Sequence, residues 1–216
     1  MTDAQVIQID IISDVMCPWC IIGYRQLEQA LGQTGFGARI RWHPFELNPD
    51  MPAEGEPIGA HIQRKYGSTP EQSAQARDQM KALGASLGIT FNTGADSRIV
   101  NSFAAHQLLD FALALGKQHP LKLALFEAHF TDLKNVSDPA TLADIAASVG
   151  IDRGDAEQVL ATGALAGSVR EKEAFWTSRG ISGVPSMVFG GKYLVTGAQG
   201  VENYAQILTK TASEAA

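Results

Sequence analysis

The sequence predicts an α/β fold in which a β-α-β unit and a β-β-α unit flank a large all-helical insertion. Two observations carry this prediction: short runs rich in alternating β-branched residues occur near the two ends of the chain, and helical apolar spacing fills the part between them. With 216 residues, 45% of them hydrophobic and 19% charged, the chain is long enough to bury a sizeable core.

The β-α-β segment begins with residues 6–13, a run of alternating, β-branched character that predicts a strand. A Cys-Pro-Trp-Cys motif follows directly, and the residues after it have the apolar spacing of a helix over 21–31. Glycines end this helix, and 38–45 predicts a second strand. The cysteine motif is therefore placed at a strand-to-helix junction.

The middle of the chain is predicted to be helical after a loop of Pro, Gly and acidic residues over 48–57. Thr69-Pro70 and Asp138-Pro139 each combine a capping residue with proline at the first helical position. Two apolar stripes are assigned to the core of this region, and they consist of Val100, Phe103, Ala104, Leu108, Phe111, Ala112 and Leu115, and of Leu123, Phe126, Phe130 and Leu133.

The end of the chain predicts a β-hairpin and a closing helix. Strands over 186–189 and 192–196 flank Gly190-Gly191, a two-residue turn that needs positive φ. The elements divide the chain into residues 1–55, the first half of the α/β fold, residues 56–165, the helical insertion domain, and residues 166–216, the second half.

Charge and hydropathy exclude several classes of partner. The net charge is −6 and Lys and Arg are not clustered, so nucleic acid and anionic membrane surfaces are not expected partners. No window approaches the roughly 18 apolar residues that cross a bilayer, and residues 1–5 lack the features of an export signal. We therefore expect a cytoplasmic protein.

The only two cysteines, Cys17 and Cys20, are expected to be a redox-active pair, because structural disulfides are rare in the cytosol. Cys17 at a helix start faces unpaired N–H groups and the positive end of the helix dipole, which predicts a thiolate nucleophile at neutral pH. Cys20 lies on the buried stripe of the helix, which predicts the resolving cysteine.

The intervening residues are expected to tune the motif. Pro18 stiffens the first helical turn, and Trp19 points away from the buried stripe, so an exposed platform beside Cys17 is predicted. No zinc ligand spacing accompanies the pair, so no metal is expected, although folding could gather histidines around it. Two inert core cysteines, or a Cys-His protease, would also fit the bare spacing. His43 is predicted to be a solvated strand-end residue rather than a group that tunes Cys17.

A second motif, Gly183-Val184-Pro185, stands immediately before the predicted strand 186–189. Proline can begin a strand but is not found inside one. Only about 5–6% of X-Pro bonds in folded proteins are cis, so the sequence itself does not assign an isomer to Pro185.

Together these motifs resemble the DsbA-like branch of the thioredoxin superfamily. Phe45-Glu46-Leu47-Asn48-Pro49 and the ending from Val184 to Gln199 are most similar to the FrnE-like proteins of that branch. The resemblance implies a thioredoxin fold with a helical insertion, a cis Pro185 facing the dithiol, and a Val184 that offers its backbone to an extended substrate. It also implies protein or peptide disulfides and thiols as partners.

We therefore expect a thiol-disulfide oxidoreductase with no bound cofactor, acting as a monomer or a homodimer. The same branch contains hydroxychromene-carboxylate isomerases and kappa-class glutathione transferases, which generally lack the cysteine pair. A glutathione-dependent isomerase or transferase acting on a small aromatic substrate is thus a second hypothesis, and glutathione is left open as a co-substrate. A redox-regulated, chaperone-like binding module is a third hypothesis. The direction of electron flow is not predicted.

Overall fold

The computed structural model describes residues 5–52 and 54–214, so most of the segment to which the expectation about an export signal refers lies outside it. Its elements in chain order are β1 (Val6–Ser13), α1 (Pro18–Thr34), β2 (Gly37–Pro44), β3 (Glu56–Pro57), α2 (Ile58–Tyr66), α3 (Pro70–Ser86), β4 (Arg98–Ile99), α4 (Phe103–Ala114), α5 (Gln118–Phe130), α6 (Pro139–Ser148), α7 (Arg153–Thr162), α8 (Ala166–Thr177), β5 (Ser186–Phe189), β6 (Tyr193–Thr196) and α9 (Val201–Ser213). The predicted order of β-α-β, helices and β-β-α is observed.

The chain divides into two compact units. The first contains the residues up to Leu47 together with those from Ala166 onward, and the second is Asn48–Leu165. The boundary between residues 47 and 48 lies at the start of the loop that the sequence predicts over 48–57. Asn48 belongs to the second unit, where its side-chain oxygen accepts a hydrogen bond from Lys65 Nζ at 2.8 Å.

The first unit is built on a four-stranded sheet with the order β2-β1-β5-β6. The central strand β1 runs parallel to β2 and antiparallel to β5, which pairs in turn with β6. The register sets Ile12 opposite Ser186, and Ser13 opposite Pro44. The residues that follow β1 and those that precede β5 therefore meet at one end of the sheet, although they lie far apart in sequence.

Helix α1 begins at Pro18, directly after Cys17. Cys17 is the N-cap, with extended backbone angles of φ −94° and ψ 110°, and proline occupies the first helical position. The helix ends at Gly35, whose φ of 73° is in the left-handed region and whose N–H donates to the carbonyl of Leu31. The buried face of α1 packs against α9, which in turn packs against β1 and β5.

The hairpin between β5 and β6 turns through two glycines. Gly190 has a φ of 58° and Gly191 a φ of 68°, and these positive values match the twist of a two-residue hairpin. Phe189 and Tyr193 pair across the turn. The predicted Gly-Gly turn is therefore confirmed, and the second strand begins at Tyr193.

The second unit is mainly helical. Thr69 caps α3 in a reciprocal capping box with Gln72, and Asp138 caps α6 by accepting a hydrogen bond from the N–H of Thr141. Helix α4 packs against α5, α6 and α7. The fully buried side chains of these helices include Leu108, Leu121, Leu125, Phe126, Leu142 and Ala146.

Three details of the second unit differ from the sequence-based expectation. β3 and β4 form a small two-stranded antiparallel sheet, which strands of two residues are too short to reveal by periodicity. Leu133, which the apolar stripe assigns to the core, is 51% exposed, because α5 ends before it and its φ of 57° turns the chain away. Leu115, also assigned to the core, is 48% exposed at the end of α4. Phe126 and Phe130 of the same predicted stripes are buried as expected, together with Leu121 and Leu125.

Candidate active site

Cys17 and Cys20 lie at the first turn of α1, directly after the central strand. Both are present as thiols, and the N–H of Cys20 donates to the carbonyl of Cys17 at 3.1 Å. Cys17 is 3% exposed and Cys20 is 0% exposed. Of the two sulfurs, that of Cys17 is nearer to solvent, at the end of the sheet where β1 finishes.

The turn between β1 and α1 is held by Asp14, which is 1% exposed. Its backbone carbonyl accepts from the N–H of Cys17 at 3.2 Å. One carboxylate oxygen accepts from the N–H of Met16 at 3.1 Å and the other from the N–H of Leu47 at 2.8 Å. Sequence reasoning assigned Asp14 no role, although an acidic residue between a buried strand and a reactive pair was a usable signal.

The surroundings of Cys17 in the reduced pair oppose the thiolate that the sequence predicts there. The pKa of Cys17 is raised well above its ordinary value by its hydrogen bond to Cys20, by burial, and by the negative charges of Cys20 and Asp14. The N–H of Cys20 lowers the pKa of Cys17, but this effect is the smallest. Most backbone N–H groups near the helix start are not available to the Cys17 sulfur. Asp14 accepts from the N–H groups of Met16 and Cys17, and Pro18 has no N–H group.

Val184 and Pro185 lie next to the cysteine pair. The Val184-Pro185 peptide bond is cis, and the Cys17 thiol donates to the carbonyl of Val184 with an Sγ to O distance of 3.6 Å. Pro185 packs closely on α1, since a Cβ added at Gly23 would lie 3.3 Å from Pro185 Cγ. The first helix turn and the segment before β5 are thus brought together as the strand register requires.

Of the two residues between the cysteines, Trp19 is the exposed one. Trp19 is 46% exposed and Pro18 is partly buried. Trp19 therefore presents a large aromatic surface beside the dithiol. A role for this surface in contacting substrates is a proposal.

His43, in β2, and Glu46, just after it, have partners other than the cysteine sulfurs. His43 Nε2 lies 2.8 Å from Asp10 Oδ1, and its ring packs against Trp176 at a centroid distance of 4.9 Å, so it is not a solvated strand-end residue. The buried Glu46 carboxylate forms an ion pair with Arg170. Among residues 5–52 and 54–214, no three His, Cys, Asp or Glu side chains are grouped to hold a metal ion.

Tyr204, on α9, lies near the site and was given no role from the sequence. It is fully buried, and its hydroxyl donates to the carbonyl of Gly197 at 3.0 Å. Burial and, to a smaller extent, the charge of Cys20 raise the pKa of Tyr204 to about 12. The Tyr204 hydroxyl is therefore a permanent donor that lies within electrostatic reach of the second cysteine.

In the part of the chain that the structure describes, no helix has the length and apolar composition required to cross a bilayer.

Comparison with known proteins identifies the family. The model of the DSBA-like thioredoxin domain matches residues 8–209. A probable DsbA oxidoreductase of Streptomyces coelicolor superposes with a TM-score of 0.91 at 31% identity, over 96% of this chain and 91% of that protein. The uncharacterized protein YwbO of Bacillus subtilis is 24% identical over 95% of this chain and 97% of its own length.

More distant structures share the fold. The cytosolic disulfide reductase DsbM of Pseudomonas aeruginosa, solved with GSH, has a TM-score of 0.67 at 16% identity, with 95% of this chain and 99% of DsbM covered. A 2-hydroxychromene-2-carboxylate isomerase has a TM-score of 0.66 at 15% identity, with 97% and 99% covered. This mixture of neighbours matches the branch that the end motifs indicated, and the thioredoxin fold with a helical insertion is confirmed. The chain therefore belongs to the DsbA-like disulfide oxidoreductase family, whose common element is the DSBA-like thioredoxin domain.

Proposed function

We propose that this protein reduces or isomerises disulfide bonds of peptides and proteins through the dithiol of Cys17 and Cys20. The observation that carries the proposal is the contact between the Cys17 thiol and the carbonyl of Val184 at 3.6 Å. This contact sets the less buried sulfur against a backbone segment to which an extended chain can add. Cys17 is the nucleophile in this proposal, and Cys20 is the resolving cysteine.

The proposed reaction is two successive exchanges. The Cys17 thiol gives up its proton and its sulfur attacks the substrate disulfide, so that one substrate sulfur leaves as a thiolate and is protonated. Cys20 then loses its proton and attacks the sulfur of Cys17, which releases the second substrate thiol. Two electrons pass from the dithiol to the substrate, and the protein is left with a Cys17-Cys20 disulfide.

The direction that we propose is reductive. Strongly oxidising pairs owe their potential to a stabilised reduced form, usually a stabilised thiolate. Here the pKa of Cys17 is raised by Cys20, by burial and by Asp14, so no stabilised thiolate is assigned to Cys17 in the reduced form. A thiol reductant such as glutathione would return the disulfide to the dithiol, in keeping with a cytoplasmic location.

Val184 and Pro185 form the proposed docking edge. An extended substrate segment donates a main-chain N–H to the Val184 carbonyl, in place of the Cys17 thiol that gives up its proton in the reaction. Pro185 has no N–H to offer, and its carbonyl is already bonded to the N–H of Gly197 at 2.7 Å. The edge therefore supplies backbone contacts without selecting a side chain, while Trp19 adds an exposed apolar surface.

The experiment is disulfide reduction by the parent protein and two matched variants. We expect the parent to reduce insulin with glutathione as electron donor, Cys17→Ser to lose activity, and Cys20→Ser to accumulate a mixed disulfide that mass spectrometry detects at Cys17. If the parent with glutathione reduces insulin no faster than glutathione alone, the proposed function is contradicted. Unchanged activity in Cys17→Ser would contradict the assignment of the nucleophile.

The same variants test the two competing functions. A glutathione-dependent isomerase or transferase would keep full turnover of a small aromatic substrate after Cys20→Ser. A redox-regulated binding module would bind unfolded protein without reducing it, and binding would respond to oxidation of the pair. Because the chain has only two cysteines, each of these results can be assigned to this pair.

A further inference from the structure

The docking edge is held in place by a short chain of hydrogen bonds that leads to α9. The Pro185 carbonyl accepts from the N–H of Gly197 at 2.7 Å, and the Gly197 carbonyl accepts from the Tyr204 hydroxyl at 3.0 Å. Gly197 thus uses both of its backbone groups, with a φ of 84° that favours glycine. The Tyr204 hydroxyl and the Val184-Pro185 segment are linked through this one residue.

The hydroxyl is the one polar group of the Tyr204 side chain. The side chain is fully buried, and its ring lies 6.1 Å from that of Phe189, measured between centroids. The hydroxyl also lies 3.3 Å from the position that a Cβ on Gly23 would occupy. A buried hydroxyl is costly unless it is hydrogen-bonded, and here it donates to the Gly197 carbonyl and accepts a backbone hydrogen bond from Gln199 in the same turn.

A second anchor holds the other end of the same turn. The N–H of Gly200 donates to Gln26 Oε1 at 2.9 Å, and Gln26 is a buried residue of α1. The turn from Gly197 to Gly200 is therefore attached to α9 by Tyr204 and to α1 by Gln26. Since α1 carries the cysteine pair, the two anchors fix the position of the docking edge relative to the sulfur of Cys17.

We infer that Tyr204 is a positioning residue that holds the Val184 carbonyl beside Cys17 for substrates with a peptide backbone. The inference rests on the proposed function, because it assumes that extended substrates pair with Val184. A substrate without a backbone makes no such pairing, so its reduction does not depend on where the carbonyl lies. Tyr204 thereby contributes to the selection of peptide disulfides over small ones.

The test is the substitution Tyr204→Phe, which removes only the hydroxyl. One neutral hydrogen bond corresponds to about a fivefold change in an equilibrium constant, so we expect KM for a disulfide-bonded peptide to rise about fivefold with little change in kcat. Reduction of 2-hydroxyethyl disulfide is expected to stay within twofold of the parent. The matched control is Tyr193→Phe, which removes a hydroxyl bonded to Glu214 and is expected to leave both substrates unchanged.

A second variant keeps the test decisive if Tyr204→Phe does not fold. Gln26→Met removes the other anchor at similar volume, and it should raise KM for the peptide without affecting 2-hydroxyethyl disulfide. Equal losses with both substrates, or no loss with either, would overturn the role of Tyr204 while the proposed function stands. A parent that reduces neither substrate would overturn both.

Discussion

Gly23 is the position in α1 where a single methyl group should be felt at the active site. A Cβ there would lie 3.3 Å from Met187 Cε, Pro185 Cγ and Tyr204 Oη. Exchanging glycine for alanine within a helix gains about 1 kcal/mol from helix propensity, whereas overfilling a packed site costs about 1–3 kcal/mol. Gly23→Ala is therefore expected to change the free energy of unfolding by between about zero and a 2 kcal/mol loss.

The matched control lies in the same helix. A Cβ added at Gly32 has no atom within 4 Å. Gly32→Ala should therefore have the higher helix propensity of alanine without a packing cost, and be about 1 kcal/mol more stable than the parent. The difference between the two variants is then about 1–3 kcal/mol. Because Pro185 and the bonded Tyr204 hydroxyl must shift by a few tenths of an ångström, Gly23→Ala should also lower peptide reduction, and Gly32→Ala should not.

Urea unfolding followed by tryptophan fluorescence measures this difference. The three tryptophans, Trp19, Trp42 and Trp176, all belong to the first unit, so the signal reports the unit that holds the site. Insulin reduction supplies the second readout. If Gly23→Ala and Gly32→Ala are equally stabilising and both retain full activity, the close packing of Pro185 on α1 does not constrain the site and the reasoning is refuted.

Three further predictions address the charges and the second unit. Asp14→Asn removes a negative charge that raises the pKa of Cys17, so alkylation of the reduced protein by iodoacetamide at pH 8 should be faster than in the parent, and an unchanged or slower rate would contradict this. Arg170→Met leaves the carboxylate of Glu46 buried without its ion pair and should lower the free energy of unfolding by about 2 kcal/mol. This loss is smaller than for a fully buried pair because the arginine is half exposed. The double variant with Glu46→Gln should recover part of the lost free energy, as measured by urea unfolding. Gly55→Ala would place a Cβ 2.1 Å from a backbone carbonyl of β4, at a φ of 63°, and should destabilise the second unit, seen as a lower midpoint by circular dichroism with tryptophan fluorescence at low urea unchanged.

Local patterns in the sequence were sufficient for most of the fold. The alternating run in 6–13 predicted β1 with its observed bounds, and Gly190-Gly191 predicted the hairpin because positive φ at two adjacent residues is a local requirement. Thr69 and Asp138 predicted the starts of α3 and α6 for the same reason. Where a backbone conformation is decided by neighbouring residues, the sequence is enough.

The properties that sequence reasoning missed depend on distant contacts. The helix-start argument for a Cys17 thiolate did not include the carboxylate of Asp14, which takes nearby N–H groups and adds a negative charge. Tyr204 looks like one more apolar position of a closing helix, and its role emerges only when Gly197 and Pro185 are beside it. Neither effect has a signature in local spacing.

The pairing of β1 with β5 has a consequence for synthesis on the ribosome. Ile11 pairs with Met187, so the sheet around the cysteines cannot be completed until nearly the whole chain has been translated. At about 5–20 residues per second, roughly 10–30 s separate the synthesis of Cys17 from that of Pro185. The second unit is continuous in sequence, so its partners are all present earlier, while the nascent thiols still lack their cover. With only two cysteines in the chain, a premature disulfide within the nascent chain can join only the pair that the mature enzyme uses.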